Sequence, residues 1–313
     1  MVLLAHTLKI MKVKEFLVKL SKQKISYFFI LPSLIIFSIF VLIPIVTSLY
    51  LSFTEYNVLH SPKWVGLKNY SDIVFNDPRF WKSIRNTAIY VFGTVPIGIV
   101  ISLMLAVFID QKIRFKNLFK TIFFVPSVTS VVAISVIWKW LYAGGKYGLI
   151  NHFLIRIGFP PVDWLMNVNW TLPAIMIMSI WGGLGYNMII FLAGLQGVPQ
   201  AFYDAADVDG ANFWGKFWNV TLPLLAPTML FVTIMSFIAS FQVFDQVYIM
   251  TGGSEGAVGG VLDCALTIVA YLYDSGFQRF KMGYASALAY IIFVIIFAVT
   301  LISLRFMKKK IDY

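Results

Sequence analysis

A single cysteine, Cys264, stands among 313 residues, so no disulfide can close within the chain. Charge is scarce as well. Only 12% of residues are Asp, Glu, Lys or Arg, against about 25% in an average soluble domain. The three histidines, His6, His60 and His152, are scattered, and neither HExxH nor CxxC occurs, so no metal site has support. There is no GxSxG turn to expose a nucleophilic serine. The phosphate-cradling loop GxxxxGK(S/T) is missing too: Gly145-Lys146 runs on to Tyr147 and Gly215-Lys216 to Phe217, without the required Ser or Thr. If ATP drives this protein, another chain must hydrolyse it.

What is abundant is apolar surface. The chain is 59% hydrophobic, and its mean hydropathy is +0.82. A bilayer core is crossed by about 20 apolar helical residues. Six stretches qualify: Tyr27–Tyr50, Ile84–Ile109, Thr121–Tyr142, Thr171–Leu195, Leu224–Met250 and Gly283–Leu304. Lipid leaves open backbone groups unsatisfied, so these read as helices, and the short alternating segments of a β-barrel are absent. The expected fold is all-α, a polytopic membrane protein with six transmembrane helices and both termini cytoplasmic.

Orientation follows from charge. With the N-terminus inside, 15 of the 25 basic residues fall on cytoplasmic segments together with six acids, so the inside nets +9 of the total +11. This positive-inside bias accounts for the basic balance with membrane lipid as the partner and no nucleic acid. The chain divides into a basic cytoplasmic segment 1–26, a first span with its outer loop 27–83, a core 84–304 that includes the inner loop 196–223, and a basic tail 305–313. Met11 is an alternative start, and the lysine-rich lead reads as cytosolic rather than cleaved. No internal repeat is visible, which weighs against many secondary carriers.

Prolines 32, 44, 96, 126, 173 and 227 and the glycines at 182, 183 and 185 lie in or beside the spans; they read either as ordinary membrane-helix residues or as flexible points. Gly283, Ala285, Ser286, Ala287 and Ala289 would let the last span approach a neighbour closely. Asp245 falls near the outer end of the expected fifth span, where a functional carboxylate and a solvated interfacial one are both open readings.

The inner loop contains YDAADVDGANFWGKFWNV, residues 203 to 220, with three of the chain's 14 acids. Val198-Pro199-Gln200 can open a helix, with Phe202, Ala205, Ala206 and Asp209 on one side and Asp204, Asp207 and Val208 on another. Gly210 fits its terminator, and Asn212 fits the cap of a second helix. That helix carries Phe213, Trp214, Phe217 and Trp218 on one face and is expected to end at Leu222-Pro223. An interfacial helix pair fits this pattern. A docking surface fits it too, because a lipid-only helix beside anionic headgroups would favour lysine over aspartate.

The spacing Asp204-Ala205-Ala206, three residues, Gly210, nine residues, Val220, one residue, Leu222-Pro223 resembles the EAA loop of bacterial ABC importer permeases, with aspartate in place of glutamate. Asp209-Gly210-Ala211 matches its common form. Further segments resemble the carbohydrate-uptake branch: Trp64–Tyr70, Asp77–Trp81, Phe191–Gln196, Phe244–Tyr248 and Met282–Ala287. Thr251–Gly256 departs from it where relatives often have glycine-proline-glycine. The resemblance implies a type I ABC importer-like fold in a bacterial or archaeal plasma (inner) membrane. It implies a second homologous permease subunit, two cytosolic ABC ATPase subunits that bind ATP and Mg²⁺, and an extracytoplasmic solute-binding protein. The chain itself is then no enzyme and binds no cofactor or metal. The implied ATPase-coupling loop is Asp204, Ala205, Ala206, Asp209, Gly210, Ala211, Leu222 and Pro223.

For the solute, Trp181, Tyr186, Asn187, Ser240, Gln242, Asp245 and Gln246 supply aromatic faces, amides, a hydroxyl and a carboxylate within spans four and five, though for any one of them ordinary interhelix packing and hydrogen bonding is the stronger reading. No Lys or Arg lies in those spans, which favours a neutral sugar over a glycerol phosphate. A stand-alone channel or secondary carrier is the other function to be weighed.

Overall fold

The computed structural model describes residues 24–111, 114–252 and 257–311, with residues 24–27 and 306–311 given as backbone only. Most of the basic segment 1–26, Gly253–Gly256 of the departing outer loop and the last residues of the tail therefore lie outside the described residues.

The first span is a helix α1 (Lys24–Phe37), a π-turn (Ser38–Leu42) and a helix α2 (Ile43–Ser52) in one continuous rod. The π-turn has a local cause. Pro44 has no N–H to give, and in the widened turn ahead of it the Ile43 N–H bonds to the Ser38 carbonyl instead. A strand pair follows, β1 (Thr54–Glu55) antiparallel to β2 (Lys63–Trp64), a small departure from the expected all-α class. After α3 (Lys68–Asn76) comes the long α4 (Pro78–Asp110). It begins six residues ahead of the expected Ile84, because Pro78 occupies its first turn and the Asp77 carboxylate accepts from the N–H groups of Arg79 (2.9 Å) and Phe80 (3.3 Å).

The expected third span, Thr121–Tyr142, is not one helix. It is α5 (Lys116–Val128) and α6 (Val131–Leu141), bent by 99° at Thr129-Ser130. Beyond α7 (Leu149–Arg156), α8 (Thr171–Gln196) is unbroken, as expected. Its glycines make no kink. A Cβ on Gly185 would overlap the Phe123 carbonyl, so this glycine lets α5 lie directly on α8.

The inner loop holds α9 (Gln200–Val208), α10 (Phe213–Lys216), a second π-turn (Phe217–Thr221) and α11 (Leu222–Leu224). The expected fifth span Leu224–Met250 is also divided. After a 68° bend, α12 runs only Ala226–Phe241, and α13 (Asp245–Thr251) is separate. After α14 (Ile268–Tyr273), α15 (Met282–Ile311) closes the fold. Among the described residues, four helical rods are long and apolar enough to span a bilayer, or up to six if each bent pair counts as one.

The core sits where α4 crosses α8, with Val91, Ala174, Ile175, Met188 and Phe191 wholly buried. The small residues of α15 do permit close contact: a Cβ on Gly283 would overlap the Thr54 carbonyl, and Ala285 and Ala287 are buried. The stretch from Asp263 to Tyr284 is clasped to the start of α4. Arg79 donates from Nε and Nη2 to the two Asp263 oxygens (2.9 and 2.8 Å) and from Nη1 to Asp274 (2.8 Å). Asn86 donates to the carbonyls of Asp263 and Leu266. Tyr271 and Tyr284 both donate to Asp77, and burial, then the bond to Asp77, pushes the Tyr271 hydroxyl up to about 12.

Candidate functional site

Two features make up the candidate site: the loop 196–223 and a polar groove among the helices. In the loop, α9 ends in a Schellman closure. The Ala211 N–H reaches back to the Ala206 carbonyl (2.9 Å) and the Gly210 N–H to that of Asp207 (3.0 Å). This requires a left-handed residue at 210, and Gly210 has φ +74°. Asn212 caps the second helix, accepting from the Gly215 N–H at 2.8 Å. Pro199 precedes the first helical residue by one position, within ordinary boundary variation.

The rotation of α9 differs from the expected one. Tyr203 and Ala206 face inward, while Phe202 and Ala205, expected beside Ala206, are exposed together with Asp204, Val208 and Asp209. The tie that sets the rotation is the Tyr203 hydroxyl against Thr221 Oγ1 at 3.1 Å, supported by an ion pair of Lys216 with Asp207. Asp204 is held only by Gln200 one turn earlier, at 3.2 Å. Leu222-Pro223 does not end the second helix. The Leu222 N–H bonds to the Phe217 carbonyl through the π-turn and the helix continues to Leu224, again because a proline lies just ahead. Leu222 packs on the core and Pro223 is exposed.

The groove, about 270 Å³, lies between α4, α8 and α12. Of the solute residues expected from sequence, Tyr186, Asn187, Ser240 and Gln246 line it. Trp181 does not: its ring lies 5.6 Å from that of Trp138, in a stack that continues to Tyr142 and Trp164. Gln242 ends α12 in an exposed position outside the groove walls, and Asp245 is exposed at the first residue of α13, where a carboxylate suits the helix dipole. The division of the expected fifth span moves both. Sequence reasoning missed Tyr90, Thr94, Ser179 and Ser236, which also line the groove. For Tyr90 and Thr94 the signal was a polar stripe on α4: Ser83, Asn86, Thr87, Tyr90, Thr94 and Ser102, all buried at helical spacing. A second groove of about 190 Å³ at the α5–α6 break shares Ser179, Gly183 and Gln246 with the first. Among the described residues, no charged side chain lines either groove.

Fold and site together define a polytopic helical membrane subunit with a polar groove among its helices and an exposed, glycine-closed helix on the loop between α8 and α12. Residues 98–312 match the family described as binding-protein-dependent transport system inner membrane component, and the chain belongs to that family. It is a permease, a transport component rather than an enzyme. It is 36% identical over 290 residues to the probable ABC transporter permease protein YesP of Bacillus subtilis (strain 168), covering 92% of each chain. It is 35% identical over 287 residues to the arabinooligosaccharides transport system permease protein AraP of the same organism, covering 91% of this chain and 89% of AraP. Its fold is that of a chain in the crystal structure of a bacterial alginate ABC transporter in complex with alginate pentasaccharide-bound periplasmic protein, at TM-score 0.82 and 21% identity, over 94% of this chain and 97% of that one.

Proposed function

We propose that this permease is one of two homologous membrane subunits of an ATP-driven importer of a neutral sugar, and that it crosses the bilayer six times with both termini in the cytoplasm. The span count takes each bent pair as one crossing. In this reading an external binding protein delivers the sugar, and two cytosolic ATPases act on the loop around Asp204–Gly210. The sugar class follows the relative named for arabinooligosaccharides and the uncharged lining of the grooves.

The observation that carries the proposal is the exposure of α9. Asp204, Ala205, Val208 and Asp209 are open to solvent, whereas Tyr203 and Ala206 hold the helix to the body of the protein. Such a helix suits insertion into a cleft on a partner. Its motion is transmitted because three constraints make the loop stiff: the Schellman closure at Gly210, the Asn212 cap, and the continuous helix from Phe213 to Leu224 that leads into α12. When the ATPases close on ATP, the loop moves as a lever and α12 carries that motion to the groove wall at Ser236 and Ser240. The breaks at Thr129-Ser130 and Gln242–Phe244 leave backbone groups outside regular helix, which at membrane depth is tolerated where they meet protein or line a wet cavity; Thr129 does line the smaller groove.

Gentle extraction of the tagged chain tests the assembly. Recovery of a homologous permease and an ATPase supports it, and solute flux through the purified chain alone, without ATPase, overturns it in favour of a channel or secondary carrier.

A further inference from the structure

A larger cavity, about 530 Å³, lies outside the polar grooves. It is on another side of α4. Tyr90, Thr94 and Gly98 face the polar groove, while Val100, Met104, Val107 and Gln111 line this cleft, roughly a third of a turn away at about 3.6 residues per turn. Its opposite wall is the aromatic face of the loop, Phe213, Trp214, Phe217 and Trp218. Apart from Gln111, every described lining side chain is apolar or an indole, so these walls offer a sugar little to bond with.

One end of the cleft is different. A groove of about 210 Å³ shares Val107, Gln111, Phe213 and Phe217 with it and adds Asp110, Tyr203, Lys216 and Thr221. An apolar cleft therefore opens onto a polar groove that, among the described residues, carries one carboxylate and one ammonium. Both groups already have partners, which a headgroup would have to share: Asp110 faces Lys116 at 3.6 Å, and a partly exposed Lys216 faces an exposed Asp207; partly solvated pairs of this kind contribute about 0–1 kcal/mol.

We propose that this cleft is a lipid site, taking one acyl chain of a phosphatidylethanolamine from the cytoplasmic leaflet with its phosphate at Lys216 and its ammonium at Asp110. The pairing of both signs in one groove selects a zwitterionic headgroup over an anionic one. A methylene fills about the volume of a water molecule, roughly 30 Å³, so the cleft has room for an acyl chain. The bound lipid packs between α4 and the second helix of the loop and stiffens the connection that the loop uses to move α12. The site rests on the cytoplasmic placement of residues 196–223 proposed above.

The test uses the complex as it co-purifies, reconstituted in nanodiscs of phosphatidylglycerol with or without phosphatidylethanolamine, with retained lipid read by native mass spectrometry. Wild type is expected to keep one phosphatidylethanolamine per copy of this chain. Val100→Trp, which fills the cleft from an exposed position, is expected to lower retention roughly tenfold, and Val100→Leu to preserve it. Asp110→Asn, which removes the partner of the ammonium, is expected to abolish the preference over phosphatidylglycerol. Equal retention by wild type and Val100→Trp, equal retention of the two lipids by wild type, or cross-linking of Met104→Cys to the second permease each overturns the lipid site while leaving the importer reading intact. Topology is tested apart from the lipid. The native Cys264 is buried, so labelling of Ala201→Cys by an impermeant maleimide from outside the cell reports the loop alone, and that result overturns both readings together.

Discussion

Gly210 permits a test in which backbone conformation is separated from packing. It sits at φ +74°, and a Cβ added there meets no atom within 4 Å. Any effect of a substitution therefore comes from the chain's reluctance to adopt that conformation, not from a clash. Alanine in the left-handed region costs about 1–2 kcal/mol, and asparagine less, since its side chain bonds locally. Proline is worse on two counts. Its φ is held near −65°, and it removes the N–H that bonds to the Asp207 carbonyl at 3.0 Å, for about 3 kcal/mol or more. With about 1.4 kcal/mol per factor of ten, alanine should cut the population of correctly closed loops by roughly 5- to 30-fold and proline by more than about 100-fold. The assay is ATP-dependent sugar uptake by the complete importer, normalised to the amount of inserted protein. The expected order is glycine, asparagine, alanine, proline, with insertion unchanged throughout. Wild-type uptake by Gly210→Pro, or alanine more harmful than proline, would refute the argument that a left-handed closure couples the loop.

The grooves give a paired prediction: Asn187→Ala and Gln246→Ala should each raise the apparent KM for sugar several-fold, while Gln242→Ala and Asp245→Asn, which lie outside the groove walls, should leave it within about twofold. Equal effects in the two pairs would show that the groove is not the pathway. Gly185→Ala should separate α5 from α8 and destabilise the protein by about 1–3 kcal/mol, as overpacking does, read as a lowered thermal midpoint in detergent; an unchanged midpoint contradicts the close approach at Phe123. Arg79→Ala should also lower it, by leaving Asp263 and Asp274 without their shared guanidinium, and the outer segment 257–281 should become more sensitive to protease than the loop 196–223. Equal sensitivity of the two segments would remove the clasp as the reason.

Element by element, legibility followed the locality of the cause. The span at Thr171–Gln196 and the stop at Gly210 were readable because long apolar runs and a glycine between capped helices act within a turn or two of themselves. The early start of α4 was readable in principle from Asp77-Pro78, a cap followed by proline, although hydropathy alone hid it. The breaks at Thr129-Ser130 and Gln242–Phe244 were not, because an apolar run stays apolar through a bend. The π-turns before Pro44 and Pro223 lie between: proline announces a lost hydrogen bond, but not whether the helix ends or widens. Among the expected solute residues, Tyr186 and Asn187 reached the groove and Trp181 did not, since five residues along a helix change the face presented.

By itself, the sequence determined that this chain lives in lipid, that it carries no phosphate loop of its own, and where the loop 196–223 turns. These follow from transfer energies and local backbone preferences, which depend on residue type and near neighbours. Only the tertiary structure decided which faces of the helices meet. It placed Tyr90, Thr94 and Ser179 opposite Ser236 and Gln246, put Asp245 in the open, and brought Asp110 within one groove of Lys216. Those outcomes depend on helix rotation, set by contacts between residues far apart in the chain, such as Tyr203 on Thr221, Gly185 under Phe123 and Arg79 between Asp263 and Asp274.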